Sequence, residues 1–366
     1  MYDLPFQSAL ITGGSGFFAA AIIARLHELE PQLSIAAFDV RKPSEEIPGV
    51  SYYTCDITDK KVLRALFDKI QGPHVIFHTA SPNFNSHTAD TMFWKVNSDG
   101  TNNLLECARE KGSTKAIVYT SSSSVVHDNA SNLVEADESL PLLKTVPETR
   151  GYTASKAVAE ETLCKANRES GILTCAIRPT TMFGPKNDGM LAKVIDVCLK
   201  GNAKFQMGEG RNLYDFTYVD NCVHAHMLAA HALLKAADRP PLPADQRVEG
   251  EAFFVSNDEH IPFWAFTLMT AEALGRPVRP EQLIKIPYPV SVCMAFLAEV
   301  ITWIVSFGRK QSNLTVHAMK YTYMTRTFNV EKIKRVLGYR PLVSMRDGIQ
   351  LGVNWYKENE LGKKRR

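Results

Sequence analysis

No Cys-x-x-Cys pair occurs in this 366-residue sequence, and its seven cysteines are odd in number and scattered from Cys55 to Cys293. That excludes a disulfide framework and a thiolate zinc site. An excess of one charge is missing too. With 42 Lys and Arg against 39 Asp and Glu, the formal charge of +3 is too small for a chain that grips nucleic acid. There is no internal repeat and no low-complexity tract, and 45% hydrophobic residues exclude a disordered or collagen-like chain. The opening Met1-Tyr2-Asp3-Leu4-Pro5 lacks the basic and apolar regions of a signal peptide, so none is expected. His224 and His226, two apart on a helical pattern, point in different directions, so no metal is expected. The sequons Asn129-Ala130-Ser131 and Asn313-Leu314-Thr315 are expected to go unused on a cytosol-facing chain.

What is present is a regular alternation. Short apolar runs at Ala9–Ile11, Ser34–Phe38, His74–His78, Lys115–Tyr119 and Leu173–Ile177 are separated by longer helical patterns. This predicts an α/β fold of Rossmann type, a doubly wound parallel sheet with helices on both faces. Beyond Gly184-Pro185 the regularity breaks down. The expected organisation is a nucleotide-binding domain over 1–185, with 212–235 packing back onto it, and a smaller, mainly helical substrate domain over 186–366.

Directly after the first run comes Gly13-Gly14-Ser15-Gly16-Phe17, opening an Ala-rich helix. Glycines there let the backbone approach a pyrophosphate, whose charge meets the positive end of the helix. Asp39 follows Gly16 by 23 residues, at the end of the second run, where a carboxylate grips the adenosine ribose hydroxyls. Its charge repels a 2′-phosphate, which favours NAD, while Arg41 softens that preference. Asp56-Ile57 is placed to meet the adenine, and Ala80-Ser81, ending the next run, to form a wall facing the cofactor.

Tyr152 and Lys156 stand four apart on one helical face. A free phenol titrates near 10, and an adjacent ammonium favours its ionised form, so the pair makes a proton acceptor. Upstream, Thr120-Ser121-Ser122-Ser123-Ser124 ends a strand where a hydroxyl can meet a substrate oxygen, in a register the four serines leave open.

With these motifs together the sequence resembles the extended short-chain dehydrogenases/reductases over nearly its whole length. Within them it resembles the 3β-hydroxysteroid dehydrogenase branch, and there the fungal decarboxylating sterol-4α-carboxylate 3-dehydrogenases. Separated stretches carry this likeness, among them Phe38–Arg41, Ala136–Glu138, Lys204–Gly208, Asn212–Tyr218, Phe253–Asp258 and Leu337–Pro341. The resemblance implies Ser122 as the catalytic serine beside Tyr152 and Lys156, with Ser123 in reserve. It also implies Asn97 near the cofactor, and Pro179 and Thr181 in the segment lining the nicotinamide. Thr153-Ala154-Ser155 and Thr180-Thr181-Met182 depart from the family pattern, so the expected substrate is a sterol or a triterpenoid. The implied activity is NAD-dependent oxidation of a 3β-hydroxyl, with decarboxylation where a 4α-carboxylate is present. A sugar-nucleotide epimerase or dehydratase of the same fold is the alternative.

Between Lys285 and Arg309 lie 23 residues with a single charge, Glu299. A bilayer crossing needs about 20 residues, and a carboxylate at mid-membrane costs about 2.5 to 3.5 kcal/mol. Ser291, Glu299, Thr302 and Ser306 share one stripe of a helix, so 287–307 is expected to lie in a membrane surface with its apolar arc in lipid, a buried core helix and a true span being the alternatives. The C-terminal Lys363-Lys364-Arg365-Arg366 resembles a dilysine retrieval signal. The expected location is the cytosolic face of the endoplasmic reticulum membrane, with a homodimer as the expected assembly.

Overall fold

The computed structural model describes residues 5–82, 88–145, 151–187, 189–307, 309, 312 and 314–361. Met1–Leu4, Asn313 and the basic Lys363–Arg366 lie outside them.

Seven parallel strands form the central sheet: β1 (Ser8–Thr12), β2 (Ser34–Asp39), β3 (Ser51–Thr54), β4 (Val75–His78), β5 (Ala116–Thr120), β6 (Leu173–Pro179) and β7 (Ala252–Val255). Their order is β7-β6-β5-β4-β1-β2-β3. The expected doubly wound Rossmann sheet is therefore present, with its reversal of strand order between β1 and β4. Ligands of such sheets bind beyond the carboxyl ends of the strands at that point.

Eleven helices are used below: α1 (Phe17–Leu29), α2 (Lys60–Lys69), α3 (Gly100–Lys111), α4 (Gly151–Lys165), α5 (Met190–Leu199), α6 (Val219–Ala236), α7 (Phe263–Ala273), α8 (Tyr288–Ser306), α9 (Val316–Tyr323), α10 (Glu331–Leu337) and α11 (Met345–Tyr356). A π-helical turn, Trp94–Asp99, leads into α3. Alternation along each strand feeds two cores. Ala9 and Ile11 of β1 join the core with α1 and α6, whereas Leu10 joins the core under α2, α3 and α4. Leu10 and Ile11, fully removed from water, contribute about 1.5–3 kcal/mol each.

The chain crosses between layers more than once. α6 packs on α1, β5 and β6, and β7 pairs with β6, although both follow residue 185 in sequence. Leu133–Ala136, which precedes it, instead joins a four-stranded sheet with Arg326–Phe328, Leu213–Tyr214 and Ile261–Pro262. That small sheet forms the wall facing the ends of β5 and β6 across a cleft. α5, α7 and α11 pack together behind it.

α8 stands apart from this packing. Of its 19 residues only Ser291 and Ala295 are buried, while Phe296, Ile301, Trp303, Ile304 and Val305 are each more than half exposed. Its polar stripe faces the protein. The Ser291 hydroxyl meets Tyr323 Oη at 3.0 Å, and the Glu299 carboxylate accepts the Val316 amide at the start of α9 (3.2 Å).

Candidate active site

The cleft has a volume of about 960 Å³, near the top of the usual range for ligand sites. Its floor is the glycine turn. Gly13 adopts φ +71°, and a Cβ there would come within 2.9 Å of the Ala80 Cα. Another on Gly14 would stand 2.7 Å from the Ala37 Cβ. Only glycine lets this turn lie flat on β2 and β4. Gly16 caps α1 without a side-chain bond, so the first amides of a 13-residue helix remain available at the cleft. The Asp39 carboxylate accepts the Ser15 amide (3.1 Å) and its own neighbour's, Val40 (2.7 Å), while Ser15 Oγ donates to the Arg41 carbonyl (2.6 Å). Flat backbone, open helix terminus and a carboxylate at the end of β2 together fit a dinucleotide whose ribose hydroxyls are free.

Across the switch point stands α4. Gly151 is required at its start, since a Cβ there would come within 2.8 Å of Asp90 Cβ. This brings the helix close enough for the Tyr152 ring to meet Phe93 edge-on, with centroids 5.5 Å apart. Ser122, the half-buried residue where β5 gives way to a 3₁₀ turn, hydrogen-bonds the Tyr152 side chain. Its Oγ also meets Ser124 Oγ at 2.9 Å, whereas Ser123 is buried. Lys156 is buried, donates to the Thr120 carbonyl at 2.8 Å and lies 4.9 Å from the centre of the Tyr119 ring. Burial pushes the Tyr152 phenol above its ordinary value, and the Ser122 hydrogen bond draws it back. Burial also draws the Lys156 ammonium down to about 7, against the opposing pull of Glu160. Two buried titratable groups with perturbed pKa values, facing one cleft, mark a candidate functional site.

Behind these groups runs a chain of buried hydrogen bonds. Thr12 Oγ1 accepts the amides of Thr79 (3.1 Å) and Ala80 (3.0 Å), so its own proton goes to His78 Nδ1 at 2.8 Å. His78 then donates from Nε2 to Thr101 Oγ1 (2.8 Å), and Thr101 donates to the Asn97 carbonyl. Asn97 Nδ2 donates to Ser155 Oγ (3.0 Å), which donates to the Tyr152 carbonyl (3.0 Å). Burial, and secondarily Lys156, hold His78 neutral by lowering its pKa to about 3.

The structure thus brings Gly13, Ser15, Gly16, Phe17, Asp39, Arg41, Ser81, Ser122, Tyr152, Lys156, Pro179 and Thr181 to one cleft. Four other expected residues do not line it. Ala80 supplies the backbone on which Gly13 rests. Asn97 is buried behind α4, joined to it through Ser155, and acts on the site through that helix. Ile57 is buried beneath Gly100, and Asp56 is exposed, accepting the Thr58 amide of its own turn (2.9 Å). His226, set aside as a ligand, bonds Thr120 Oγ1 and the Cys222 carbonyl, each at 2.8 Å, and ties α6 to the end of β5.

Sequence reasoning missed four contributors. Glu160, one turn beyond Lys156, holds Arg178 in a buried ion pair; its spacing was the available signal. Asn129, Tyr321 and Arg326 reach the cleft from distant parts of the chain, without a motif. The Asn129 side chain accepts from the Tyr321 hydroxyl, which keeps it at the cleft wall.

A family model described as the 3-beta hydroxysteroid dehydrogenase/isomerase family matches residues 10–287. The chain is 36% identical to the decarboxylating sterol-4-alpha-carboxylate 3-dehydrogenase of Schizosaccharomyces pombe over 358 residues, covering 96% of this chain and 98% of that one. It is 35% identical to a 3beta-hydroxysteroid-dehydrogenase/decarboxylase of Arabidopsis thaliana, covering 93% of this chain and 77% of that one. Among solved structures, the dTDP-glucose 4,6-dehydratase of Streptomyces venezuelae, bound to NAD, superposes with a TM-score of 0.70 at 21% identity, covering 97% and 98% of the two chains. That last likeness is one of fold.

Proposed function

The chain belongs to the 3-beta hydroxysteroid dehydrogenase/isomerase family, and we propose that it oxidises the 3β-hydroxyl of a 4α-carboxysterol with NAD, the product then losing carbon dioxide to leave the 3-ketone. The observation that carries this is that Ser122, Tyr152 and Lys156 line the same cleft as the glycine turn after β1.

When bound, NAD takes up the hydride that leaves C3. Gly13, Ser15 and the open end of α1 would hold its pyrophosphate, Asp39 its adenosine ribose, and Lys156, Pro179 and Thr181 its nicotinamide end. Ser122 orients the 3β-hydroxyl by a hydrogen bond. Tyr152 accepts the hydroxyl proton as the C3–H bond breaks, and the Lys156 ammonium stabilises the phenolate that makes this possible. The alcohol becomes a ketone with loss of one hydride and one proton. A carboxylate on the neighbouring carbon is now β to that ketone, so carbon dioxide leaves while its bonding electrons pass into an enolate. Protonation at C4 completes the sequence. Asp39 favours NAD over NADP by opposing a 2′-phosphate. A sugar-nucleotide epimerase or dehydratase shares the fold, and fold alone does not assign chemistry.

The substrate class suits a chain that works at a lipid surface. We infer that α8, about 28 Å long, lies in the plane of a membrane, with Ser291 and Glu299 turned to the protein and its apolar arc in lipid. All seven cysteines are free thiols, as on the cytosolic side of the endoplasmic reticulum. Flotation with phospholipid vesicles tests this: wild type should float, and a chain carrying both Ile301→Asp and Ile304→Asp should stay at the bottom. Equal flotation of the two would refute it.

The activity itself is tested by incubating purified chain and NAD with a 4α-carboxy-3β-hydroxysterol and with the same sterol lacking the carboxylate. NADH formation and product mass are followed. Turnover with loss of carbon dioxide from the first is the expected result, and silence on both would refute the proposal.

A further inference from the structure

An acid–histidine–acid bridge ties the small sheet together. His260 Nδ1 lies 2.6 Å from Asp215 Oδ1, and its Nε2 lies 2.8 Å from Glu135 Oε1. Carboxylates at both ring nitrogens call for two donors, and only the imidazolium has two. None of the three residues lines the cleft, but what they hold does. Asp215 follows the cleft-lining Tyr214; its amide donates to the carbonyl of Arg326, also at the cleft (3.0 Å), and its Oδ2 accepts the Phe328 amide (2.8 Å). One buried residue thus grips the Arg326–Phe328 strand on both sides of Thr327.

That strand carries an irregularity. Leu133 pairs with Arg326 and Ala136 with Phe328, so Val134 and Glu135 stand opposite Thr327 alone. At this bulge Glu135 has φ +48°, a left-handed conformation that side chains rarely adopt. Its amide donates to Thr327 Oγ1 (2.9 Å), and its carboxylate is fixed by His260.

Other charges around the ring are already engaged. Asp258 adds its field from the same loop but is paired with Lys334 of α10 (2.6 Å), which Glu331 also meets. Glu259 is turned to α11, accepting the Met345 amide (2.9 Å). Burial opposes a charge on His260, but the Asp215 bond and the fields of Asp215, Glu135 and Asp258 outweigh it and raise the pKa. Burial also pushes Asp215 up to about 6, against the pull of His260 and the Phe328 amide. Both shifts have one sign: the fold keeps a proton that the unfolded chain releases. The bridge is therefore complete below the ordinary histidine value of about 6.5 and fades as pH rises through the raised one. A neutral ring keeps one N–H. The Asp215 side chain is fully buried and has no access to water, so it takes that N–H, and Glu135, half exposed, is the partner released.

We propose that His260 is a positioning residue: as the imidazolium it braces Asp215, and through Asp215 the Tyr214 and Arg326 wall of the cleft, and on losing a proton it lets that wall loosen. Its effect on catalysis rests on the carboxysterol reading above, and the bridge itself does not.

The test follows hydrogen exchange by mass spectrometry at Leu133–Ala136 and Arg326–Phe328, corrected for intrinsic rates and referred to α2, in wild type, His260→Gln and Glu135→Gln. In wild type the opening constant of both strands should rise about 3- to 10-fold between about pH 6 and about pH 8.5, the worth of one hydrogen bond. His260→Gln should be open to the same extent at both values. Glu135→Gln should stay closed at both, because an amide can donate to the ring nitrogen that has lost its proton. KM for a 4α-carboxy-3β-hydroxysterol should follow the same pattern, rising with pH in wild type and flat in Glu135→Gln. Wild-type exchange without this pH response overturns the proposal before any variant is made, so it stays refutable if His260→Gln does not fold. Glu135→Gln open at both values also overturns it, since the carboxylate would then be an ordinary tie. A flat wild-type KM alongside responsive exchange overturns the positioning role. If no chain turns the sterol over, the carboxysterol reading has failed, and exchange at Arg326–Phe328 still decides the bridge.

Discussion

Exchanging Glu160 for glutamine removes one charge from the interior and strands another. The Glu160 and Arg178 side chains are 2% and 5% exposed, and Arg178 reaches the carboxylate with Nε at 3.1 and 3.0 Å and with Nη2 at 2.5 Å. Arg178 also lies 5.0 Å from the centre of the Phe254 ring, so it has no route to water. Breaking one side of such a pair costs about 3–5 kcal/mol, a large share of a typical total of about 5–15 kcal/mol. Glu160→Gln should therefore lose about that much in denaturant unfolding, and Arg178→Met should lose a similar amount. The double variant should lose well under the sum, because neither charge is then left alone. Catalysis supplies a second readout. Glu160 raises the pKa of Lys156, so in Glu160→Gln the limb of the kcat/KM profile that reports Lys156 should move to lower pH. A loss below about 1 kcal/mol, or additive single losses, would refute the view that the pair is a closed unit. An unmoved pH profile would refute its electrostatic link to Lys156.

Tyr152→Phe removes the proposed proton acceptor but keeps the ring against Phe93; kcat should fall about 10²- to 10⁴-fold while NADH affinity, measured by fluorescence titration, stays nearly constant. Asp39→Ala should narrow the gap between NAD and NADP in kcat/KM; an unchanged ratio would mean the carboxylate does not read the ribose. Lys156 titrates near 7 in the fold against an ordinary 10.5, so between those values the unfolded chain binds the extra proton. Its contribution makes the protein more stable as pH rises across that window, by about 1.4 kcal/mol per pH unit. Comparing the unfolding free energies of wild type and Lys156→Met at two pH values inside it should show this slope in wild type alone.

The parts of the fold legible in the sequence are those made by local rules. The turn after β1 needs glycines because β4 passes within van der Waals contact, and the Tyr152–Lys156 pair needs only helical spacing. β7 was illegible as a member of the main sheet, since Ala252–Val255 is a short apolar run like many others and its place beside β6 is a long-range choice. Asn97 is expected near the cofactor only through the family resemblance, and its bond to Ser155 of α4 is a tertiary contact that no local pattern announces. Arg326 was invisible for a similar reason. Nothing local marks it, and it reaches the cleft only through the long-range pairing of the small sheet.

The bonded chain from Thr12 through His78, Thr101 and Asn97 to Ser155 has a mechanical consequence. Every link has one donor direction, and its one titratable member changes charge only near pH 3, so it neither slackens nor reverses at the pH where the protein works. The backbone beside the glycine turn and the first turn of α4 are therefore tied by one continuous set of buried bonds. The small sheet and α9 sit outside that chain and meet the cleft through two separate side-chain bonds, Tyr214 to Thr181 and Tyr321 to Asn129, so this side can shift without breaking any of its links.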